Sequence, residues 1–224
     1  MERPVNYEQT DARWRNIMYS SRGDKNQTIG TSGCGPTCAA MVISEIKGYP
    51  VYPTDCCKWS EKHGYRTDNN GTSWSYFVPQ FAAYDIQCNG YTGDVNAALS
   101  ALKDGKMVIA LATKGLWTSS GHFILAYCVK GNKVYINDPN STNKAKEEAD
   151  INIFRQQCRK FWIVEENWMV KKLEQKVDID GKTSLLSAVN VDGENYFRVR
   201  DIAPVLGYQV DWDASRKVVV LKKK

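Results

Sequence analysis

The sequence predicts an α+β fold, on three observations. Helical periodicity dominates the stretch before residue 104. Three short strands rich in Val, Ile and Tyr follow it, bounded by glycine loops. Residues 177–224 then read as a separate small unit of strands around one helix. Helices first and an antiparallel sheet afterwards is the α+β order, not the strand–helix alternation of a parallel sheet.

The first helix is expected over Thr37–Lys47. Its apolar positions Ala39, Val42, Ile43 and Ile46 have the spacing of a buried face. Pro36 suits the first turn, where a missing N–H costs nothing, and Gly48 ends it. Tyr49 to Asn70, with two prolines, reads as a turn-rich segment. Gly71-Thr72-Ser73-Trp74 opens a second helix to about Tyr84, with Thr72 or Ser73 as cap. Asp94 caps a third, Val95 to Lys103, which stops near Gly105.

The strands are Met107–Thr113, His122–Val129 and Lys133–Asn137. A polar loop and a short helix near Glu147–Cys158 lead to a last strand, Lys160–Val164. These assignments divide the chain into 1–165, a charged and partly helical linker at 166–176, and 177–224. In the last unit Asp180-Gly181 and Asp192-Gly193 are hairpin turns. Val199–Leu206 is a short amphipathic helix stopped by Gly207. Gln209–Trp212 and Lys217–Leu221 close the unit, giving the order strand, strand, strand, helix, strand, strand.

Composition narrows the function classes. Hydrophobic residues make up 42% and charged residues 25%, as in an ordinary soluble globular protein. No stretch approaches the ~20 apolar residues of a membrane helix, so no membrane insertion is expected. The amino terminus lacks an apolar signal core, so synthesis in the cytoplasm without a cleaved signal is expected. The formal charge of +5 is modest, and residues 165–224 hold 11 Lys+Arg against 10 Asp+Glu. No basic run exceeds Lys222-Lys223-Lys224, which argues against nucleic acid. Such a charge suits weak attraction to an anionic polymer such as a bacterial wall.

Seven cysteines is an odd number, and reduced thiols are the default without a signal. Cys34 and Cys38 sit one helical turn apart, ~5–6 Å between Cβ atoms. A disulfide needs ~3.5–4.5 Å, so that pair stays open. The others lack paired Cys-x-x-Cys spacing, and no metal or cofactor is expected.

The chemistry centres on Gly33-Cys34-Gly35-Pro36, at the start of the first helix. Partial positive charge and free N–H groups at a helix start favour a thiolate. The glycines at 33 and 35 let a substrate backbone approach closely. Cys34 also reads as a small buried residue unless the chain supplies a base. His63 lies in a polar surface turn, whereas His122 opens a buried strand after a glycine-containing loop. A three-residue hairpin turn would pair Val129 with Lys133 and Ile124 with Asp138. Asp138 would then lie diagonally from His122 on one face and could orient its imidazole. A two-residue turn at Gly131-Asn132 would slip the register and place Asp138 on the other face. Asn137-Asp138-Pro139 also reads as a plain turn. Trp74 and Trp117 either line a sugar- or peptide-binding groove or belong to the core, and Trp117, five residues before His122, is expected to border the cleft.

These segments resemble a known family. Asn6-Tyr7-Glu8-Gln9-Thr10-Asp11, Gly33-Cys34-Gly35-Pro36-Thr37, Gly121-His122-Phe123 and Asn137-Asp138-Pro139 occur in the order seen in papain-like cysteine peptidases related to bacteriocin-leader-processing peptidases. The resemblance implies a papain-like fold, a helical part packed on an antiparallel sheet. It implies Cys34 as nucleophile, His122 as base and then acid, and Asp138 as orienter. It also implies oxyanion donation from the Gln9 side-chain amide and the Cys34 backbone N–H, with Gln27 as competitor for the first role. Single-chain members include bacterial and phage cell-wall lytic enzymes. That implies an endolysin-like endopeptidase or amidase acting on peptidoglycan. A peptide-processing peptidase and a non-catalytic wall-binding protein are the alternatives.

Residues 177–224 resemble the stalk domain of copper amine oxidases. The resemblance rests on Asp180-Gly181-Lys182, Asn195 to Ala203, Leu206-Gly207-Tyr208 and Val210-Asp211-Trp212-Asp213. It implies either a wall-binding module or a self-association module, the second of which would give a homo-oligomer. Copper is not carried over, since no histidine or cysteine follows Cys158. Arg200 is expected to be buried, paired with Asp201 or Asp211, or a solvated surface charge.

Overall fold

The computed structural model describes residues 3–68, 71–167, 172–179, 181–191, 194–197, 199–213 and 218–223. The chain divides into two compact units, Met1–Trp168 and Met169–Lys224.

The first unit begins with a single turn, α1 (Ile29–Ser32), followed by α2 (Cys34–Lys47), α3 (Pro53–Lys62), α4 (Phe77–Ala82) and α5 (Val95–Lys103). Then come β1 (Lys106–Thr113), β2 (Gly121–Lys130), β3 (Lys133–Asn137), α6 (Lys144–Glu147), β4 (Glu148–Asp150), α7 (Ile151–Gln157) and β5 (Cys158–Asn167). The strands form one antiparallel sheet in the order β4-β3-β2-β1-β5. This is the mixed, antiparallel fold class the sequence predicts.

Both faces of β1 and β2 are covered, because alternate residues point to opposite sides. Met107, Ile109, Phe123 and Leu125 join Trp162 and the buried face of α2 in one core. Val108, Ala110, Ile124 and Ala126 join Leu99 and Leu102 of α5 and Phe154 of α7 in a second core. Burial on both faces is why these strands read as almost continuous apolar runs. Gly48 ends α2 in the left-handed region at φ +70°, a conformation that glycine adopts at no steric cost.

Several elements of this unit differ from the sequence expectation. The segment read as turns contains α3. Its buried positions 53, 56, 57 and 60 have helical spacing, but they are Pro, Cys, Cys and Ser, so the apolar signal is weak. Pro53 starts the helix, and the Asp55 carboxylate accepts from the Tyr52 N–H at 3.0 Å. The second helix starts only at Phe77. Thr72 Oγ1 is 2.9 Å from the Tyr19 hydroxyl, and Ser73 Oγ is 2.8 Å from Ser75 Oγ, so neither caps it. The last strand runs over Cys158–Asn167, with register shifts against β1.

The second unit holds β6 (Lys172–Ile179), β7 (Lys182–Val191), β8 (Glu194–Phe197), α8 (Val199–Ile202), β9 (Tyr208–Asp213) and β10 (Val218–Lys223). They form a sheet β6-β7-β8 and a hairpin β9-β10. Residues 172–176 of the expected part-helical linker belong to a strand. Leu173, Gln175, Val177 and Ile179 alternate with charged residues, and their charge density hides the two-residue period. The helix read over Val199–Leu206 keeps only Val199–Ile202, because Pro204 cannot continue it. Asp211 pairs with Lys222 at 2.9 Å. The turn residues Asp180, Asp192-Gly193 and 214–217 lie outside the described residues, and so does the Arg200 side chain.

Candidate active site

Cys34 is the first residue of α2, and Gly33 is the cap before it. The helix thus starts earlier than the expected Thr37. Cys34 is partly exposed, whereas Cys38, one turn on, is fully buried. A Cβ on Gly33 would lie 2.6 Å from the Ile29 carbonyl oxygen. The absence of a side chain at 33 is therefore demanded by the chain's own tight α1 turn, beyond any demand of a ligand. Gly33→Ala is expected to destabilise the fold by about 1–3 kcal/mol through overpacking. Thermal melting would show this, and an unchanged melting temperature would refute it.

His122 opens β2, and Asp138 follows β3. The register between these strands is instructive. Lys130 pairs with Lys133, so the turn is the two-residue one, Gly131-Asn132. That alone would put Asp138 on the wrong face. A bulge at Tyr127 intervenes: Cys128 pairs with Tyr135, yet Ala126 pairs with Ile136 and Leu125 with Asn137. The extra residue undoes the slip, and Asp138 Oδ1 lies 2.6 Å from His122 Nε2. Asp138 is fully buried, and its Oδ1 also accepts from the Asn140 N–H at 2.9 Å. With Nε2 committed, the other ring nitrogen serves the hydrogen bond to Cys34.

The electrostatics couple the three groups. Burial pushes the Cys34 thiol up. The hydrogen bond and charge of His122, with the backbone N–H groups of Phe123 and Gly35, outweigh that and hold it below an ordinary thiol. Burial pushes His122 down, but the hydrogen bonds to Asp138 and Cys34 and their charges raise it from 6.5 to about 9. The arrangement stabilises a thiolate–imidazolium pair. Its folded-state contribution from His122 is full below pH 6.5 and is lost as pH rises through about 9. Activity is expected to fall over the same alkaline window as the imidazolium is lost, while the acid limb follows the depressed thiol. A kcat/KM profile checks this, and a plateau extending well above pH 9 would contradict it.

Gln9 is buried and joins the two halves of the site. Its backbone N–H donates to the Pro139 carbonyl at 2.7 Å, and its side-chain Nε2 donates to the Gly30 carbonyl at 2.8 Å. Gln9 Oε1 is buried without a partner in the structure. Gln27 is held differently: its Oε1 accepts from Arg66 Nη2 at 2.8 Å and from Ser32 Oγ at 2.9 Å.

The Peptidase_C39 like family matches residues 7–168 of the chain. The chain belongs to this family. Solved structures with a similar course include a double glycine motif protease from an AMS/PCAT transporter, in complex with the leader peptide. That protease is 18% identical, with TM-score 0.44, covering 58% of this chain and 81% of that one. The peptidase domain of Streptococcus ComA, a bi-functional ABC transporter, is 15% identical, with TM-score 0.44, covering 59% and 90%. No curated protein matches the chain.

Family membership makes the chain a papain-like cysteine peptidase. The peptidase does not use every residue singled out from its sequence in one place. Trp117 is 3% exposed and packs on Phe154 in the second core, with its indole N–H donated to the Lys146 carbonyl at 3.0 Å. It therefore does not border the cleft, since its position is set by α6 and α7. Trp74 is 47% exposed and meets Tyr91 edge-on, with the Lys160 ammonium 4.4 Å from its ring centre. His63 ends α3, stacked on Trp59 at 4.1 Å. All seven cysteines are free thiols.

Two residues of the peptidase's site region make contacts that the sequence reading does not assign. Asn137 is fully buried, and its Nδ2 donates to the Val5 carbonyl at 3.1 Å, fastening the segment that leads to Gln9. Arg66 is buried beside the loop that leads into α1. Nothing local in the sequence marks these contacts, because the partners lie far away along the chain.

Proposed function

We propose that the peptidase hydrolyses amide bonds in bacterial peptidoglycan through a thioester on Cys34. The observation that carries the reaction class is the hydrogen-bonded line Cys34–His122–Asp138 at the mouth of α2. The thiolate attacks the amide carbonyl carbon, and the carbonyl oxygen takes up the negative charge. The Cys34 backbone N–H and the second N–H of the Gln9 amide receive that oxyanion. The imidazolium of His122 gives its proton to the departing nitrogen, the C–N bond breaks, and the thioester forms. Water then attacks the thioester while neutral His122 takes its proton. The carboxylic acid leaves, and the proton returns the pair to thiolate and imidazolium. Asp138 holds the imidazole and stabilises its charged form throughout.

Three features support the choice of substrate. The +5 charge favours an anionic polymer, the resemblance includes cell-wall lytic enzymes, and a separate unit follows the peptidase unit. We assign that unit, residues 169–224, to holding the wall. Trp74, exposed beside Lys160, is assigned to contact with the substrate.

Mass spectrometry of fragments released from purified walls tests the reading. New amino and carboxyl ends at a stem, a cross-bridge or the muramoyl–alanine amide are expected. Intact walls alongside cleavage of unrelated peptides would reassign the chain to peptide processing. Truncation after Trp168 is expected to leave the chemistry in place and weaken sedimentation with walls. Undiminished sedimentation would remove the binding role of the second unit.

A further inference from the structure

Trp74, Tyr91 and Lys160 form a cluster on the surface of the first unit. Trp74 is 47% exposed and Tyr91 46% exposed, and Lys160 is half-buried between them. The two rings meet edge-on, 6.0 Å between centres. The Lys160 ammonium lies 4.4 Å from the Trp74 ring centre and 3.9 Å from that of Tyr91. A cation over an aromatic face is attracted by the ring's quadrupole, so the two rings hold the ammonium in place. An ammonium also carries three N–H donors. Among the described residues no carboxylate, carbonyl or hydroxyl accepts from Lys160 Nζ.

Sheet register places this cluster beside the nucleophile. Lys160 on β5 pairs with Leu111 on β1, and Leu111 pairs with Phe123 on β2. Directly paired residues point to one face, so Phe123, Leu111 and Lys160 form a row on the side of α2. Phe123 follows His122. A Cβ on Gly35, which follows Cys34, would lie 3.3 Å from the Phe123 ring and 3.2 Å from the Thr72 side chain. Thr72 in turn stands two residues before Trp74. Trp162 joins the ends of the row beneath, its ring 5.6 Å from Phe123 and 5.4 Å from Tyr91. From Phe123 to Lys160 the row spans two strand spacings, about 10 Å. Extended peptide covers that distance in about three residues.

We propose that Trp74, Tyr91 and Lys160 form a substrate subsite for a peptide carboxylate about three residues from the bond cut at Cys34. The proposal deepens the hydrolase reading and rests on it, with Cys34 as nucleophile. The ammonium supplies charge-assisted hydrogen bonds to the carboxylate. The open ring surfaces cover the aliphatic stem of the acidic residue. The rings also displace water from around Lys160, which strengthens its pull relative to a fully solvated lysine. A purely structural cap on the two rings would need only an aliphatic side chain at 160, with no charge to desolvate. Stem peptides of the wall, with their free carboxylates, fit this chemistry, and so do acidic segments of proteins.

Cleavage of two probe sets by the full chain tests the proposal. One set is stem peptides released from walls by a muramidase, and the other is a tryptic digest of bacterial protein. Each is offered with its carboxylates free and after their conversion to amides. Wild type is expected to cut the free form with about tenfold higher kcat/KM, the difference lying in KM. Lys160→Met keeps an unbranched stem over the rings and is expected to remove that preference, whereas Lys160→Glu is expected to invert it. Trp74→Leu is expected to raise KM for both forms alike. The set that carries the preference tells which source supplies the carboxylate. No preference in wild type, or one that Lys160→Met and Lys160→Glu leave intact, would overturn the proposal. If wild type cuts neither set, the hydrolase reading fails and binding decides the subsite. The Trp74 indole N–H resonance of Cys34→Ala, followed by heteronuclear NMR, is expected to respond to the free stem peptides at about tenfold lower concentration than to the amidated ones. That difference is expected to vanish when Lys160→Met is added. Equal responses to the two forms in Cys34→Ala would overturn the subsite and leave the nucleophile untouched.

Discussion

Replacing Cys34 by Ala is expected to lower hydrolysis of purified walls by about 10⁴-fold or more. Loss of a nucleophile removes the covalent route, and what survives comes from the oxyanion donors and binding alone. The fold should persist, because Cys34 is partly exposed and the change removes a single heavy atom. The variant should still sediment with walls if residues 169–224 hold them. Turbidity loss and pelleting measured on the same preparation separate the two properties. A variant that keeps more than about a hundredth of the rate would place the reaction elsewhere.

The legibility of this chain follows the range of its interactions. The nucleophile's helix was readable because glycines, proline and a buried apolar stripe all lie within one short segment. The strands were readable because two-sided burial concentrates Val, Ile and Leu in them. Helix α3 was hidden because cysteine and serine fill its inner face. The pairing of His122 with Asp138 was expected from a three-residue turn that the chain does not use. The structure reaches the same juxtaposition through a two-residue turn and a bulge at Tyr127. No residue type announces that bulge, since Tyr127 is an ordinary strand aromatic. The nearness of Trp117 to His122 in sequence points to a place beside the cleft. Its actual surroundings, Lys146 and Phe154, come from later in the chain.

Asp138→Asn separates the orienting role of the carboxylate from its charge. The amide matches the carboxylate in shape and can still accept from His122 Nε2 and the Asn140 N–H through one oxygen. It cannot stabilise the imidazolium by charge, and its NH₂ group takes the place of Asp138 Oδ2, which has no partner. An unsatisfied buried donor costs about 1–3 kcal/mol, partly offset by removing a buried charge. The fold should therefore survive with a lowered melting temperature. The chemistry should suffer more. Asp138 is one of the two partners that raise His122 to about 9, so the alkaline limb of the kcat/KM profile should move down from there. Fewer molecules then hold the thiolate–imidazolium pair at neutral pH. A loss of about 10²–10⁴ in kcat is expected, with little change in KM. An alkaline limb that stays near pH 9 in this variant would show that the carboxylate does not set the charge state of the imidazole. It would leave Asp138 as a packing residue beneath a Cys34–His122 pair that works without it.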